Sequence, residues 1–151
     1  MFRILTILIF VMIGGFDLSA QNHIVKFEEI QILQRKAPKP LVVLIATSWC
    51  KYCHAMKNTM IKDKKVASLL NEEFYTVFLD PEDKRDIFFA GKIFRHEAGL
   101  HELARELGMI NGQIAYPSIT VLNVKNEIVY QHDGFLSPNA MLYMLKKIVQ
   151  N

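Results

Sequence analysis

Leu41-Val42-Val43-Leu44-Ile45-Ala46-Thr47-Ser48-Trp49-Cys50-Lys51-Tyr52-Cys53 joins a continuous, β-branched apolar run to two cysteines separated by two residues. The run Leu41 to Ile45 is short enough for a strand and apolar on both faces, as expected at the centre of a sheet. Beyond it, Cys53, Met56 and Met60 fall on one side of a helix while Lys51, His54, Lys57 and Asn58 fall elsewhere, so the cysteine pair opens a helix. A cysteine in the first turn of a helix faces unpaired backbone N–H groups and the positive end of the helix dipole, both of which favour thiolate over thiol. Cys50 is the better-placed nucleophile. Cys53, one turn deeper, is placed to attack the mixed disulfide that forms on Cys50 and to release the reduced partner.

Other chemistries use the same spacing. A bridge across two intervening residues closes almost no loop, so a purely structural staple constrains the unfolded chain little. Cys50-Lys51-Tyr52-Cys53-His54 also satisfies the C-x-x-C-H pattern of covalent haem attachment, with His54 as axial ligand, and spacing alone leaves that reading open. Against it stands the buried strand running straight into the motif within a chain that reads as α/β. Zinc needs about four ligands, and His23, His96, His101 and His132 show no regular ligand spacing. No metal or other cofactor is expected.

Outward from the motif, Phe27, Ile30 and Leu33 recur at helical spacing and predict an amphipathic helix ended before Pro38 and Pro40. A second helix is expected from Lys64 to Phe74, then a strand from Tyr75 to Leu79, giving a parallel pair joined by a crossover. The longer connection from Asp80 to Pro117 carries an expected hairpin over Ile87 to Phe94, turning at Gly91, and a helix bearing Leu100, Leu103 and Leu107. Within it, the segment from Asp83 to His101 is expected to cover a sheet edge, the other reading being an extension of a partner surface. Ser118 to Asn123 and Ile128 to Gln131 read as two alternating strands joined at Lys125-Asn126. A helix starting at Ser137-Pro138 and bearing Met141, Leu142, Leu145 and Ile148 closes the chain.

The N-terminus reads as a secretory signal. Arg3 gives a positive start, Ile4 to Ile13 is an unbroken apolar run, and Leu18-Ser19-Ala20 offers small residues before Gln21. The expected division is a signal peptide over 1–20 and one domain over 21–151, delivered to the periplasm. A membrane anchor would need roughly 20 apolar residues, and Gly14, Gly15 and Asp17 interrupt this run. The 151 residues carry 18 Lys and Arg and 15 Asp and Glu, interspersed with no block of like sign to track a phosphate backbone, so nucleic acid is not an expected partner.

Trp49-Cys50-Lys51-Tyr52-Cys53 after an apolar strand, Tyr116-Pro117-Ser118 before a later strand, and Gly134 beyond it resemble thioredoxin over nearly all of the mature chain. Within that family the chain is similar to exported bacterial thioredoxin-like proteins with a tryptophan before the motif and an insertion before the proline. The resemblance implies an α/β fold with a central mixed sheet flanked by helices. It implies that Pro117 is a cis-proline facing the cysteines, that Tyr116 offers backbone hydrogen bonds to an extended substrate, and that Trp49 belongs to the docking surface. It further implies a thiol-disulfide oxidoreductase acting on protein thiols and disulfides, a reductase recharged by a membrane electron carrier; a monomer is expected. The chain departs from thioredoxin six residues before Cys50, where a buried acid normally assists the resolving cysteine and Leu44 stands instead. Lys51, Lys57 and His54 are left without a catalytic role.

Overall fold

The computed structural model describes residues 24–150, so the expected signal peptide lies outside the described residues. Helix α1 (Phe27–Lys36) leads into strand β1 (Leu41–Ile45), then α2 (Lys51–Lys62), α3 (Lys64–Glu73) and β2 (Tyr75–Leu79). Strands β3 (Ile87–Phe89), β4 (Lys92–Phe94), β5 (His96–Glu97) and β6 (Leu100–His101) precede α4 (Glu102–Gly108). They are followed by β7 (Met109–Ile110), β8 (Gln113–Ile114), β9 (Ser118–Leu122), β10 (Ile128–Asp133) and α5 (Pro138–Val149). Among the described residues, no helix is long and apolar enough to cross a membrane.

The main sheet runs β10-β9-β1-β2, with β1 parallel to β2 and antiparallel to β9. All five residues of β1 are 0 % exposed, because strands flank both its edges and helices cover both its faces. Alternation then divides the core. Val42 and Leu44 point with Ile119 and Val121 toward Met56 of α2, Val66 of α3 and Met141 and Leu145 of α5. Leu41, Val43 and Ile45 point to the other face, among Phe27 and Ile30 of α1 and Leu103 and Leu107 of α4.

Caps explain the helix boundaries beside the site. Asp63 ends α2 and also starts α3, its carboxylate accepting from the backbone N–H of Lys65 (3.1 Å) and Val66 (3.0 Å). The hydroxyl of Ser137 accepts from the N–H of Ala140, with Pro138 in the first turn where its missing N–H costs nothing.

The structure corrects several expectations in the long connection. The hairpin turning at Ala90-Gly91 is present as β3 and β4. Leu100, expected on a helix, lies instead on β6, which pairs with β5 across Ala98-Gly99, and α4 begins only after His101. Asn111-Gly112 turns a further hairpin between β7 and β8. Each of these turns has two consecutive residues at positive φ, the backbone that two-residue hairpins require.

The segment from Asp83 to His101 does not serve mainly as a cover for the sheet edge. Ile87, Phe89 and Phe94 enter the α1-side core, and the Phe89 ring meets Phe27 edge-on with centroids 5.1 Å apart. The β2 edge is met at Thr76 by Ile24 and Val25, whose N–H donates to the Thr76 carbonyl at 2.9 Å. Strand β9 is likewise not a half-exposed alternating strand. It is buried throughout, and Thr120 satisfies its hydroxyl by donating to the Leu107 carbonyl at 2.5 Å. Its partner β10 continues to Asp133, two residues past the expected end.

Adjacent substitutions in β3 distinguish a core element from a surface flap. Phe89→Ala is expected to lower the free energy of unfolding by about 3–5 kcal/mol, the cost of truncating a buried aromatic. Phe88→Ala, on the exposed side of the same strand, is expected to stay within about 0.5 kcal/mol in the same urea titration.

Candidate active site

Cys50 is the N-cap of α2, and its sulfur accepts a hydrogen bond from the backbone N–H of Cys53 at 3.2 Å. Cys50 and Cys53 are joined in a disulfide with Cα atoms 5.2 Å apart. Both are buried, Cys50 at 8 % exposure and Cys53 at 2 %, so the Cys50 side is the more accessible to a partner. No acidic residue occupies the first turn of α2 to offset the positive end of its dipole. A reduced Cys50 sulfur would keep the same N–H and the same field, both of which favour its thiolate.

The Tyr116–Pro117 peptide bond is cis, as the family resemblance implied. The Pro117 carbonyl accepts from the N–H of Gly134 at 2.8 Å, which ties this loop to the end of β10. Trp49 is 67 % exposed and does not fill the edge of the core. Its ring meets that of Tyr116 edge-on, with centroids 6.2 Å apart and planes at 82°, so residues flanking the two motifs touch. The indole Nε1 donates to the Glu82 carboxylate at 3.2 Å, fixing the ring while leaving much of it in solvent. Burial, followed by the charges of Glu82 and Asp80, raises the pKa of the Tyr116 phenol, which therefore stays a neutral hydroxyl near neutral pH.

All five residues predicted from the sequence, Trp49, Cys50, Cys53, Tyr116 and Pro117, thus lie on the turn into α2 or on the loop packed beside it. The structure adds two aromatic residues to this end of the molecule. Tyr52, 66 % exposed between the cysteines, packs its ring against the exposed Phe135 with centroids 6.0 Å apart. Their signal in the sequence was position alone, Tyr52 inside the motif and Phe135 directly after Gly134.

His54, directly after the motif, has its Nε2–H donating to the Ser48 carbonyl at 2.6 Å. Among the described residues, no group of three or more His, Cys, Asp or Glu side chains could hold a metal ion. Leu44, at the place of the missing acid, is fully buried among apolar neighbours that include Met56.

Residues 25–99 match the family model Thioredox_DsbH, described as a protein of unknown function, DUF255. Over 53 residues the chain is 32% identical to spermatogenesis-associated protein 20 of Rattus norvegicus, a match covering 35% of this chain and 7% of that protein. A thioredoxin from Thermus thermophilus superposes with a TM-score of 0.61 at 19% identity, covering 85% of this chain and 88% of its own. A disulphide isomerase from Xylella fastidiosa Temecula1 superposes with a TM-score of 0.58 at 18% identity, covering 81% and 87%. The low identities carry the fold, and the family model independently spans β1 and the cysteine pair. These agreements give the chain a thioredoxin-like fold, whose first half matches the Thioredox_DsbH family model.

Proposed function

We propose that the protein is an exported thiol-disulfide oxidoreductase that reduces disulfides in other proteins through Cys50 and Cys53. The observation carrying this reading is the Cys50–Cys53 disulfide at the N-terminus of α2, where the Cys50 sulfur accepts the Cys53 N–H. In the reduced form, the Cys50 thiolate attacks a partner disulfide and displaces one partner sulfur. Cys53 then attacks Cys50, the mixed disulfide breaks, and the partner leaves with both sulfurs reduced while the pair is oxidised. No resident cofactor is needed, and a membrane electron carrier returns the pair to the dithiol.

The exposed rings of Trp49, Tyr52 and Phe135 support a protein substrate, because they surround the pair with apolar area suited to a polypeptide. Tyr116 offers main-chain hydrogen bonds to an extended segment of that substrate, in the manner of strand addition. Residues 1–20 direct the chain across the inner membrane, and the mature periplasmic monomer begins at Gln21, which mass measurement of the secreted protein checks.

Titration against glutathione buffers, followed by thiol alkylation and mass, tests the redox reading. A midpoint near about −270 mV is expected for a reductase, whereas one near about −120 mV would make the protein an oxidant. A pair that stays oxidised well below about −300 mV would instead indicate a structural bridge in a binding module. Cys53→Ser is expected to accumulate covalent adducts with protein substrates on non-reducing gels, and Cys50→Ser to form none. Trp49→Ala is expected to lower kcat/KM for a protein disulfide by about tenfold while barely changing it for a small-molecule disulfide, as a docking contact would.

A further inference from the structure

The outward side of α2 begins between the two cysteines and carries charge of one sign. Lys51, Ala55, Asn58 and Lys62 recur at spacings of four, three and four, which lines them along one face of the helix. All four are exposed, while Cys53, Met56 and Met60 occupy the opposite, buried face. Lys64 and Lys65, also exposed, follow in the first turn of α3. From Lys51 to Lys65 there are five lysines and one acidic residue, Asp63, a larger positive balance than the net +3 of the whole chain. The lysines are separated in sequence, and only the helices gather Lys51, Lys62, Lys64 and Lys65 into one strip.

Among the described residues, no carboxylate neutralises this strip. None of its four lysines forms an ion pair, and the Asp63 carboxylate is taken by the N–H groups of Lys65 and Val66. The acids that follow β2, near Trp49, are already engaged within the protein. Glu82 accepts the Trp49 indole N–H, Asp83 pairs with Arg85, and Asp86 lies 3.6 Å from Arg95. Helix physics also opposes the placement of the lysines. Lys51 stands in the first turn of α2, and Lys64 and Lys65 in the first turn of α3, where the positive end of the helix dipole disfavours cations. Three lysines set against their own helix dipoles beside a reactive pair point to a negatively charged partner.

We propose that this lysine strip docks an acidic segment of the proteins whose disulfides Cys50 attacks. The inference rests on the reading of Cys50 and Cys53 as a protein disulfide reductase. Lys51 and Lys62 stand eleven residues apart, about 17 Å along the helix at about 1.5 Å per residue. About five residues of extended polypeptide cover that span. An acidic segment of that length beside the substrate cysteine therefore reaches the far end of α2 while its sulfur lies at Cys50. The lysines also act before contact, because opposite charge raises the rate of encounter and the effect fades with salt. A bilayer surface fits less well. The row between Lys51 and Lys62 holds Ala55 and Asn58, neither of them a large apolar side chain that could enter lipid.

The test uses three peptides of equal length, each with one cysteine flanked on both sides by runs of glutamate, serine or lysine. Each is held as its mixed disulfide with 2-mercaptoethanol. Attack by Cys50 and closure by Cys53 oxidise the pair by two electrons and release the peptide thiol and 2-mercaptoethanol, the two thiol protons of the pair balancing the two thiols formed. Each rate constant is divided by that of the same peptide with dithiothreitol, which removes the peptide's own reactivity. At low salt the glutamate peptide is expected to react about tenfold faster than the serine peptide, and the lysine peptide more slowly. The three are expected to converge near about 1 M salt, where the screening length is about 3 Å. Lys62→Gln combined with Lys64→Glu and Lys65→Glu is expected to bring the glutamate-to-serine ratio close to one. Because the ratio is read within one variant, any change in reactivity common to both peptides cancels, and glutamates suit the start of α3. Equal corrected rates for the three peptides at low salt, or a preference that the variant keeps, overturns the proposal. Binding to vesicles of phosphatidylglycerol and phosphatidylcholine that the variant loses, with no peptide preference in the wild type, overturns it in favour of a membrane surface. A glutamate peptide with serine in place of its cysteine, followed by fluorescence anisotropy, separates the surface from the chemistry. A wild type that binds it in a salt-dependent way but reduces none of the three disulfides overturns the reductase reading and leaves the strip as an acidic docking surface.

Discussion

Strand β1 is enclosed on both faces and paired on both edges, and every other feature of the site depends on that burial. Its register with β2, Leu41 to Tyr75 through Ile45 to Leu79, and with β9, Leu41 to Leu122 through Ile45 to Ser118, leaves no freedom to slip. A shift of one residue would exchange the Val42 and Leu44 face for the Leu41, Val43 and Ile45 face against two differently shaped helix layers. The chain therefore leaves the sheet at one defined point, and Cys50 appears at the start of α2 a few residues later. The same pairing brings Ser118, and with it the Tyr116–Pro117 loop, to the end of β1 nearest the cysteines. Two motifs more than sixty residues apart in sequence thus meet at one end of the sheet because the strands that carry them, β1 and β9, pair directly.

Placing sulfur at a helix start solves an electrostatic problem that burial would otherwise create. A buried thiolate is penalised by desolvation, and Cys50 is only 8 % exposed. The N–H of Cys53 and the unopposed dipole of α2 compensate for that penalty on Cys50 but do not reach Cys53 equally, since Cys53 is a donor in this arrangement and lies deeper in the helix. The asymmetry assigns the two sulfurs different chemistry without invoking any other side chain. It also isolates proton removal from Cys53 as the step for which the helix provides no help.

The central elements were legible in the sequence because their signals are local and strong. A five-residue apolar strand, a cysteine pair opening an amphipathic helix, and Ser137-Pro138 at a helix start each carry their own physical reason. The connection from Asp80 to Pro117 was less legible because its strands are two or three residues long, too short for periodicity to register. Leu100, Leu103 and Leu107 have helical spacing, yet Gly99 at positive φ turns the chain so that Leu100 joins a hairpin and His101 caps α4. Asn111-Gly112 was the clearest local hairpin signal in the stretch. Ala90 and Ala98 gave none, since alanine rarely takes a positive φ and does so here only beside a glycine. Strand β9 misled in a different way: its alternation suggested one exposed face, whereas Ser118 and Thr120 are both buried and the Thr120 hydroxyl is committed to the last turn of α4.

The site residues divide along the same line. Cys50, Cys53 and Pro117 announce themselves by type and spacing, but Tyr52 and Phe135 resemble ordinary surface aromatics until their ring contact beside the cysteine pair is seen. Nothing in composition distinguishes a stray exposed ring from one seated beside a reactive pair, because the difference lies in which tertiary neighbours surround it. Apolar substitution at Leu44 is therefore only half of a physical statement about this protein. It removes an acid from the core side of α2, while the polar groups on the β2 side form a cleft that opens onto the same cysteine. With charge excluded from the core face of the reactive helix, the polar groups nearest Cys53 are those of the cleft on the β2 side, His54, Lys57 and Asp80 among them.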